Sequence, residues 1–309
     1  MSRLTILLTG ATGFLGSHML EALLKKNYKV IVLKRYNSDL WRISSFKGQA
    51  EFFDIDKISL KNVFSSHKVD IIIHMATLYK KYEELSDINE MVDANVTFPA
   101  ALVIEGVKHG VRGFLNAGTF FEYDCSKQPV DENAPAQAFN FYAKTKLDFD
   151  AILKTYAKKI CINTFKIFTP FGEKDNPKLI ASIIKKSLAN QQIVLSEGLQ
   201  KLDFIYAKDA VSAFISGIKR MENISFTPEY EAFNLGSGEP LSIRDIVSLV
   251  EESLGHRINV SWGDFSKKDI KVAYADITKA KDFLNWEPYY GVRVGLSKCI
   301  KYYQNLDRI

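Results

Sequence analysis

Tyr142 and Lys146 stand four residues apart in the stretch NFYAKTKLDF, whose apolar residues recur at helical spacing. On a helix these two side chains share one face. A lysine ammonium beside a phenol favours the phenolate and lowers the tyrosine pKa, so Tyr142 becomes an acid or base that works near neutral pH. The same spacing is also found on solvated helices, which is the alternative interpretation.

A further hydroxyl, that of Thr119 in FLNAGTFFEY, follows a predicted strand of the same sheet. At the end of a strand a hydroxyl can hydrogen-bond the carbonyl of a substrate. The alternative role of a lone threonine at this place is to cap the strand end.

The segment GATGFLG lies between the apolar run Leu4–Leu8 and an amphipathic helical pattern. In such a strand-to-helix loop Gly10 permits a tight turn, Gly13 lets the backbone approach a pyrophosphate, and Gly16 allows close helix packing. The spacing is GxxGxxG rather than GxGxxG, and a plain glycine turn is the alternative. The loop residues assigned to a dinucleotide are Gly10, Thr12, Gly13, Phe14 and Leu15.

Lys34 and Arg35 end the second predicted strand, in VIVLKRY. An NAD site places Asp or Glu there to bind the ribose hydroxyls, whereas cations suit the 2′-phosphate of NADP(H). The pair therefore favours NADP(H), with two ordinary surface charges as the alternative.

The elements that must position these residues alternate along the first half of the chain. Apolar runs predict strands at Leu4–Leu8, Lys29–Leu33, Asp70–His74, Gly113–Ala117 and Cys161–Phe168. Helical spacing predicts helices over Gly16–Lys26, Asn89–His109 and Phe141–Lys158. This alternation predicts a Rossmann-type α/β fold with a doubly wound parallel sheet that is covered on both faces.

After Phe168 the segment TPFGEKDNP combines proline, glycine and charge, which indicates a loop. We expect residues 1–170 to form an NADP-binding domain, to which part of 203–238 returns. Residues 171–309 are expected to form mainly a smaller α/β lobe that binds the substrate. This lobe includes predicted helices over Leu179–Leu188 and over Leu241–Leu254, the latter with Ser242 as its cap.

The composition excludes several classes of protein. With 309 residues, 47% apolar and 25% charged, the chain has the profile of an ordinary globular protein. Its net charge of +5 comes from short lysine pairs without one basic patch, so no nucleic-acid partner is expected. Its three cysteines form no CxxC pair, and no metal site is expected. No leader and no membrane-length apolar run is found, so we expect a cytoplasmic location.

Several motifs, in order, resemble those of the extended short-chain dehydrogenase/reductase family of sugar-nucleotide epimerases, dehydratases and reductases. They are TGATGFLG, FFDID, IIIHMAT, DANVTFPAALVIEGVKHGV, FLNAGTFFEY, YAKTK, FKIFTPFG, LDFIYAKDAVSAF, AFNLGSGEPLSIRDIV and FLNWEP. Within the family, IIHMATLY, DANV, FLNAGTFF and GLQKLDFIYAKDAVSAF are most similar to the bacterial reductases that make CDP-linked 3,6-dideoxyhexoses, the abequose and paratose synthases.

The resemblance implies that Thr119, Tyr142 and Lys146 form a catalytic triad. Tyr142 would exchange a proton with the sugar oxygen, Lys146 would lower its pKa and hold the nicotinamide ribose, and Thr119 would orient the carbonyl. Further cofactor positions implied by the resemblance are Asp54, Ile55, Ala76, Asn95, Phe168 and Pro170. The expected substrate positions are Thr77, Thr119, Phe120, Lys201 and Lys268. For Asn95 a buried helix-to-backbone hydrogen bond is the alternative, and His74 is expected to be structural.

The chain departs from the family pattern at several places, among them Lys166 where the family often has arginine and Phe171 where it often has tyrosine. Gly118 stands where the family has a second hydroxyl before the triad. Dehydratases of the family carry an Asp-Glu pair after the threonine, whereas this chain has Phe120 and Phe121, so dehydration is not expected. Leu202 precedes Asp203 where an arginine usually grips the diphosphate, and Lys201, Lys267 or Lys268 would supply that charge.

Three hypotheses follow for the function. The leading one is an NADPH-dependent reduction of the 4-keto group of a nucleotide-linked deoxysugar, with CDP favoured, in the synthesis of surface polysaccharides such as O-antigen. An epimerase that oxidises and re-reduces one carbon on a tightly bound cofactor is the alternative. The third hypothesis is a non-catalytic protein that senses NADP, and such a protein would not need the triad. A homodimer through Asn89–His109 and Phe141–Lys158 is expected from the family.

Overall fold

The computed structural model describes residues 3–80, 84–222, 227–264 and 270–306. The chain forms two compact units. Unit 1 comprises Met1–Asp124, Pro135–Lys166 and Ala213–Phe233, and unit 2 comprises Cys125–Ala134, Ile167–Ser212 and Asn234–Ile309.

In chain order the strands and helices alternate through most of the molecule. They are β1 (Thr5–Thr9), α1 (Phe14–Lys25), β2 (Lys29–Lys34), β3 (Glu51–Asp54), α2 (Leu60–Ser66), β4 (Ile71–His74), α3 (Leu85–Val92), α4 (Phe98–Lys108), β5 (Gly113–Thr119), α5 (Phe141–Lys154), β6 (Cys161–Ile167), β7 (Thr169–Phe171), α6 (Leu179–Leu188), β8 (Ile193–Leu195), β9 (Lys201–Tyr206), α7 (Ala207–Glu222), β10 (Tyr230–Leu235), β11 (Pro240–Ser242), α8 (Ile243–Leu254), β12 (Val260–Trp262), β13 (Val272–Ala273), α9 (Thr278–Leu284) and α10 (Gly291–Leu306).

A seven-stranded sheet in the order β10-β6-β5-β4-β1-β2-β3 carries the fold. Strands β1 to β5 pair in parallel with one another in this order. The order of β3-β2-β1-β4-β5-β6 is that of a doubly wound dinucleotide-binding sheet. The predicted fold class is therefore confirmed.

The five strands that were predicted from apolar runs are all present, because each run is buried. All residues of β1, β4 and β6 are buried. On one face of the sheet, Leu7, Ile72 and Phe114 form a core with the α4 and α5 residues Leu102 and Phe149. Helices that cover the sheet in this way fix where each strand ends.

The segment predicted as one helix over Asn89–His109 is instead interrupted. Helix α3 ends at Val92, a single wider turn of π-helix spans Asp93–Thr97, and α4 begins at Phe98. Pro99, in the first turn of α4, has no N–H group for a regular helical bond to the preceding turn. The wide turn places the buried side chain of Asn95 toward the interior.

Unit 2 has its own sheets and core. Strand β9 pairs with β11 in antiparallel fashion and with β13 and β7 in parallel, and β12 pairs with β8. Helices α6, α8 and α10 contribute Ile183, Ile246 and Leu296 to its core. Ser242 accepts a hydrogen bond from the Asp245 N–H and so caps α8, as predicted.

Candidate active site

The loop between β1 and α1 accepts only glycine at two positions. Gly10 adopts φ +75°, and a Cβ atom on it would lie 2.5 Å from the backbone nitrogen of Ala76. A Cβ atom on Gly16 would overlap the carbonyl of Gly10. The loop thus brings bare backbone against the end of β4, and the start of α1 packs closely on the Gly10 carbonyl.

Helix α1 begins at the end of this loop, and no side chain caps its first N–H groups. Gly13 is the N-cap residue, makes no side-chain cap, and no acidic residue lies in the first turn. Such a helix start favours an anion, because its N–H groups and its dipole both present positive charge. The loop and the start of α1, from Gly10 through Leu15, therefore fit the pyrophosphate of a dinucleotide.

The cations at the end of β2 are not equivalent. The Lys34 ammonium is ion-paired with Asp54 at the end of β3, and only 12% of the lysine side chain is exposed. Arg35 is exposed. Arg42, which the sequence analysis missed, donates from Nη1 to the carbonyl of Thr12 in the glycine loop at 3.4 Å. Its guanidinium also stacks 4.4 Å from the centroid of the adjacent Trp41 ring.

The Lys34 ammonium is largely neutralised by Asp54, so Arg35 and Arg42 are the cations with charge left for a ligand near this strand end. The signal for Arg42 in the sequence is weak, since it lies seven residues beyond Arg35 in a segment that no motif covers. Ile55 donates its N–H to the carbonyl of Lys34 at 2.9 Å, which places it beside this strand end.

Tyr142 and Lys146 lie one turn apart on α5, and both are buried. Burial raises the pKa of the Tyr142 phenol. Burial also lowers the pKa of Lys146 to about 8; Lys166 contributes in the same direction, while Glu122 and Asp150 oppose it. The expected lowering of the tyrosine pKa is not found in the protein alone, because loss of hydration outweighs the lowering effect of Thr77.

The Lys146 ammonium has no hydrogen-bond or ion-pair partner within the described ranges, although only 3% of the residue is exposed. A buried ammonium that lacks a partner is costly, and a ribose hydroxyl would satisfy it. Lys146 therefore fits the cofactor-binding role predicted for it.

Thr119 is the last residue of β5, and a short turn over Phe120–Glu122 follows it. Its hydroxyl accepts a hydrogen bond from the Phe121 N–H at 3.3 Å. Its own N–H donates to the Glu122 carboxylate at 2.8 Å. Helix α5 packs against this turn, so Thr119 and the Tyr142 helix meet at the same end of the sheet.

Asn95 makes four hydrogen bonds, which link the segment after β4 to helix α5. Its amide nitrogen donates to the carbonyl of Leu78 at 2.9 Å and to the hydroxyl of Thr145 at 3.0 Å. Its oxygen accepts from the Leu78 N–H at 2.8 Å and from the Thr77 hydroxyl at 3.1 Å. A side-chain interaction with Thr77 acts to lower the pKa of the Tyr142 phenol, so the two residues are neighbours. Asn95 thus makes the buried helix-to-backbone contact that was the alternative role, and it also holds Thr77 beside Tyr142.

We expect Asn95→Ala to lower the free energy of unfolding by about 2–3 kcal/mol, because it removes four hydrogen bonds and leaves the part-buried N–H and carbonyl of Leu78 without their partner. Urea unfolding followed by circular dichroism measures this change. Asn89→Ala, at an exposed position of α3, is the matched control and should change stability by less than about 0.5 kcal/mol. Equal effects of both substitutions would contradict the role assigned to Asn95.

His74 is buried and structural. Its Nδ1 shares a 2.8 Å hydrogen bond with the Thr9 hydroxyl, and its ring packs edge-on against Phe149. Burial lowers its pKa, with a further contribution from Lys146, so the ring is neutral. The Thr9 hydroxyl also accepts from the Ala76 N–H at 3.3 Å, which fixes the strand end beside Gly10.

The remaining predicted positions lie outside unit 1. Phe168, Pro170 and Lys201 belong to unit 2, and Lys268 lies outside the described residues. In the part of the chain that the structure describes, no group of three His, Cys, Asp or Glu side chains is arranged to hold a metal ion. None of the helices in that same part is both long and apolar enough to cross a membrane.

Comparison with known proteins finds relatives over almost the whole chain. The chain is 29% identical to a UDP-glucuronate 4-epimerase of Thermodesulfobacterium geofontis, over 96% of this chain and 95% of the relative. It is 25% identical to a CDP-abequose synthase of Salmonella muenchen, over 96% of each chain.

Among solved structures, a UDP-glucuronic acid 4-epimerase from Bacillus cereus, in complex with UDP-glucuronic acid and NAD, superposes with a TM-score of 0.87. The two chains are 24% identical, and the match covers 98% of this chain and 100% of the other, so it supports the fold. The family model described as the NAD dependent epimerase/dehydratase family matches residues 6–236. The chain is a member of the NAD dependent epimerase/dehydratase family.

Proposed function

We propose that this protein uses NADPH to reduce the C4 keto group of a nucleotide-linked deoxysugar, with a CDP-linked sugar favoured. The observation that carries the proposal is the end of β2, where cations stand in place of the acid that marks an NAD site. The 25% identity with a CDP-abequose synthase over almost the full length supports the class of substrate.

The cofactor preference rests on Arg35 and Arg42. Arg42 contacts the glycine loop through the carbonyl of Thr12, and Arg35 is exposed directly after β2. A guanidinium binds phosphate through parallel N–H groups, which makes the two arginines suited to a 2′-phosphate. The Asp54 carboxylate is ion-paired with Lys34, so it is not the free acid that binds the ribose hydroxyls in an NAD site.

In this proposal Tyr142 is the acid that protonates the sugar oxygen. Its raised pKa suits that role, since the phenol remains protonated at neutral pH. Bound NADPH supplies the hydride that reduces the keto carbon. Lys146 donates to the nicotinamide ribose, and the Thr119 hydroxyl donates to the keto oxygen and orients it.

The residues around Thr119 favour reduction of a deoxygenated sugar over dehydration. Phe120 and Phe121 carry no group that transfers a proton. The Phe121 ring stacks on Phe139, with centroids 5.2 Å apart and planes inclined by 22°. An apolar wall of this kind accepts a methyl or methylene carbon, whereas a hydroxyl or carboxylate placed there would lack partners.

A UDP-sugar 4-epimerase is the second candidate, because the UDP-glucuronate 4-epimerase is 29% identical to this chain. An epimerase regenerates its cofactor in each turnover, whereas a reductase consumes it. The two candidates therefore differ in whether reduced cofactor disappears with product formation.

The experiment that tests the proposal follows NADPH absorbance with purified protein and 4-keto-6-deoxy and 4-keto-3,6-dideoxy sugars linked to CDP, GDP, dTDP or UDP. Stoichiometric loss of NADPH with one of them would support the reductase and identify the nucleotide. A cofactor that co-purifies with the protein, and interconversion of UDP-sugars without its net consumption, would support the epimerase instead.

We expect Arg42→Ala and Arg35→Ala each to raise the KM for NADPH about ten- to a hundredfold, because a charge-assisted hydrogen bond to the 2′-phosphate is lost. The KM for NADH, which has no such phosphate, should be unchanged in the same variants. Lys47→Ala, at an exposed position close to Arg42, is the control and should leave both constants unaltered. A parallel rise for NADH and NADPH would argue against a 2′-phosphate site.

The homodimer through the helices that follow β4 and β5, the cytoplasmic location and the place in surface-polysaccharide synthesis remain predictions. The oligomeric state is measurable by sedimentation, and a dimer is the expected result.

A further inference from the structure

A buried ion pair lies directly behind Thr119. Lys166, on β6, is ion-paired with Glu122, and the two residues are 4% and 1% exposed. Lys166 also lies 3.7 Å from a carboxylate oxygen of Asp150 on α5. Charges this deeply buried are costly to keep, so their arrangement calls for a role beyond stability.

Glu122 divides its two oxygens between the site and the interior. One oxygen accepts the Thr119 N–H at 2.8 Å, and the other accepts from Lys166. The carboxylate therefore fixes the backbone at the residue whose hydroxyl faces the reaction. The contact with Lys166 does not follow from the family motifs, because Glu122 and Lys166 are 44 residues apart in sequence.

The same pair accounts for the glycine at position 118. A Cβ atom on Gly118 would lie 2.9 Å from the Lys166 side chain and 3.0 Å from a Glu122 oxygen. The space that a side chain at this position needs is occupied by the ion pair. The chain thus lacks the second hydroxyl that the family has at this position, and the buried ion pair fills the space beside Gly118.

The pair also lies within the electrostatic reach of Lys146. Glu122 and Asp150 stabilise its protonated form, while Lys166 and loss of hydration oppose it. His74 faces the same ammonium from β4 and is neutral. Asp150 is itself held by hydrogen bonds from Tyr230 at 2.7 Å and Thr164 at 3.0 Å, and by an ion pair with Lys154.

We propose that Glu122 and Lys166 are positioning residues for the reaction: the Glu122 carboxylate holds Thr119 in place, and each charge of the pair cancels the effect that the other alone would have on Lys146. This inference rests on the proposed function for the nature of the reaction. It concerns the residues of unit 1 alone, and cofactor binding tests its charge-balancing part without any sugar substrate.

The first test measures the pH dependence of NADPH binding by fluorescence. In the unaltered protein we expect affinity to fall as pH rises through the pKa of Lys146, about 8. Glu122→Gln removes a charge that raises this pKa, so the midpoint should move to lower pH by about one unit. The double variant Glu122→Gln with Lys166→Met removes both charges, and its midpoint should return to within about 0.3 unit of the original.

The second test separates the hydrogen bond from the charge. Glu122→Val with Lys166→Met is neutral like the Gln/Met variant, but it cannot accept the Thr119 N–H. We expect kcat to be about tenfold lower than in the Gln/Met variant, with the same affinity for NADPH. Thermal unfolding of all variants identifies any that do not fold, and the two neutral double variants avoid an unpaired buried charge.

An unchanged pH midpoint in folded Glu122→Gln, or no recovery in the Gln/Met variant, would overturn the charge-balancing role. Equal kcat values for the two double variants would overturn the positioning of Thr119. Failure of the proposed function is recognised separately, because it appears as absence of turnover in the unaltered protein while the binding midpoints remain measurable.

Discussion

We expect Tyr142→Phe to lower kcat about a hundred- to ten-thousandfold, because it removes the proton donor and leaves the ring in place. The aromatic contact between Tyr142 and Tyr79, whose ring centroids lie 5.0 Å apart, does not involve the phenol oxygen and should survive. The affinity for NADPH should change little, since Lys146 and the glycine loop remain. Steady-state kinetics and cofactor fluorescence on the same preparation measure both quantities.

Tyr79→Phe is the matched control for this substitution. Tyr79 is 39% exposed and presents its ring to Tyr142, so removal of its hydroxyl tests whether any phenol in the region matters. We expect less than about a threefold change in kcat. Turnover by Tyr142→Phe at the rate of the unaltered protein would exclude Tyr142 as the acid.

We expect Gly10→Ala to lower the affinity for NADPH at least about a hundredfold, which corresponds to about 2.7 kcal/mol. The left-handed backbone of Gly10 is costly for alanine, and its Cβ atom would lie 2.5 Å from Met75 and Ala76 backbone atoms. The loop must then move away from β4, and the N–H groups at the start of α1 move with it. Titration of the purified variant with NADPH measures the loss.

Gly110→Ala provides the control for backbone strain. Gly110 adopts the same φ of +75°, but no atom lies within 4 Å of the position of its added Cβ. It should destabilise the protein by about 1–2 kcal/mol and leave cofactor affinity unchanged. Comparable binding by the Gly10 and Gly110 variants would contradict the role of the glycine loop.

The features that could be predicted from sequence are those encoded locally. Strands β1, β2, β4, β5 and β6 of the central sheet are largely buried apolar runs, and the glycine loop adjoins one of them, so their order was sufficient for the fold class. The pairing of Tyr142 with Lys146 followed from helical spacing. The short strand β3 and helix α2 were not predicted, because FFDID and the segment after it have little periodicity.

The features that sequence could not provide depend on residues far apart in the chain. The ion pair of Lys34 with Asp54 joins adjacent strands, and it reduced the part assigned to Lys34 in binding a 2′-phosphate. The interruption around Asn95 depends on contacts with Leu78 and Thr145. The raised pKa of Tyr142 depends on its burial, which no local pattern reports.

The measurement that tests the central claim most directly follows the hydride itself. NADPH with both C4 hydrogens of the nicotinamide replaced by deuterium is incubated with the protein and the keto sugar that supports its consumption. Mass spectrometry and NMR of the product should show one deuterium per sugar, bound to C4, and an equal amount of oxidised cofactor. Product that contains no deuterium, formed while the NADPH is left intact, would contradict the reductase.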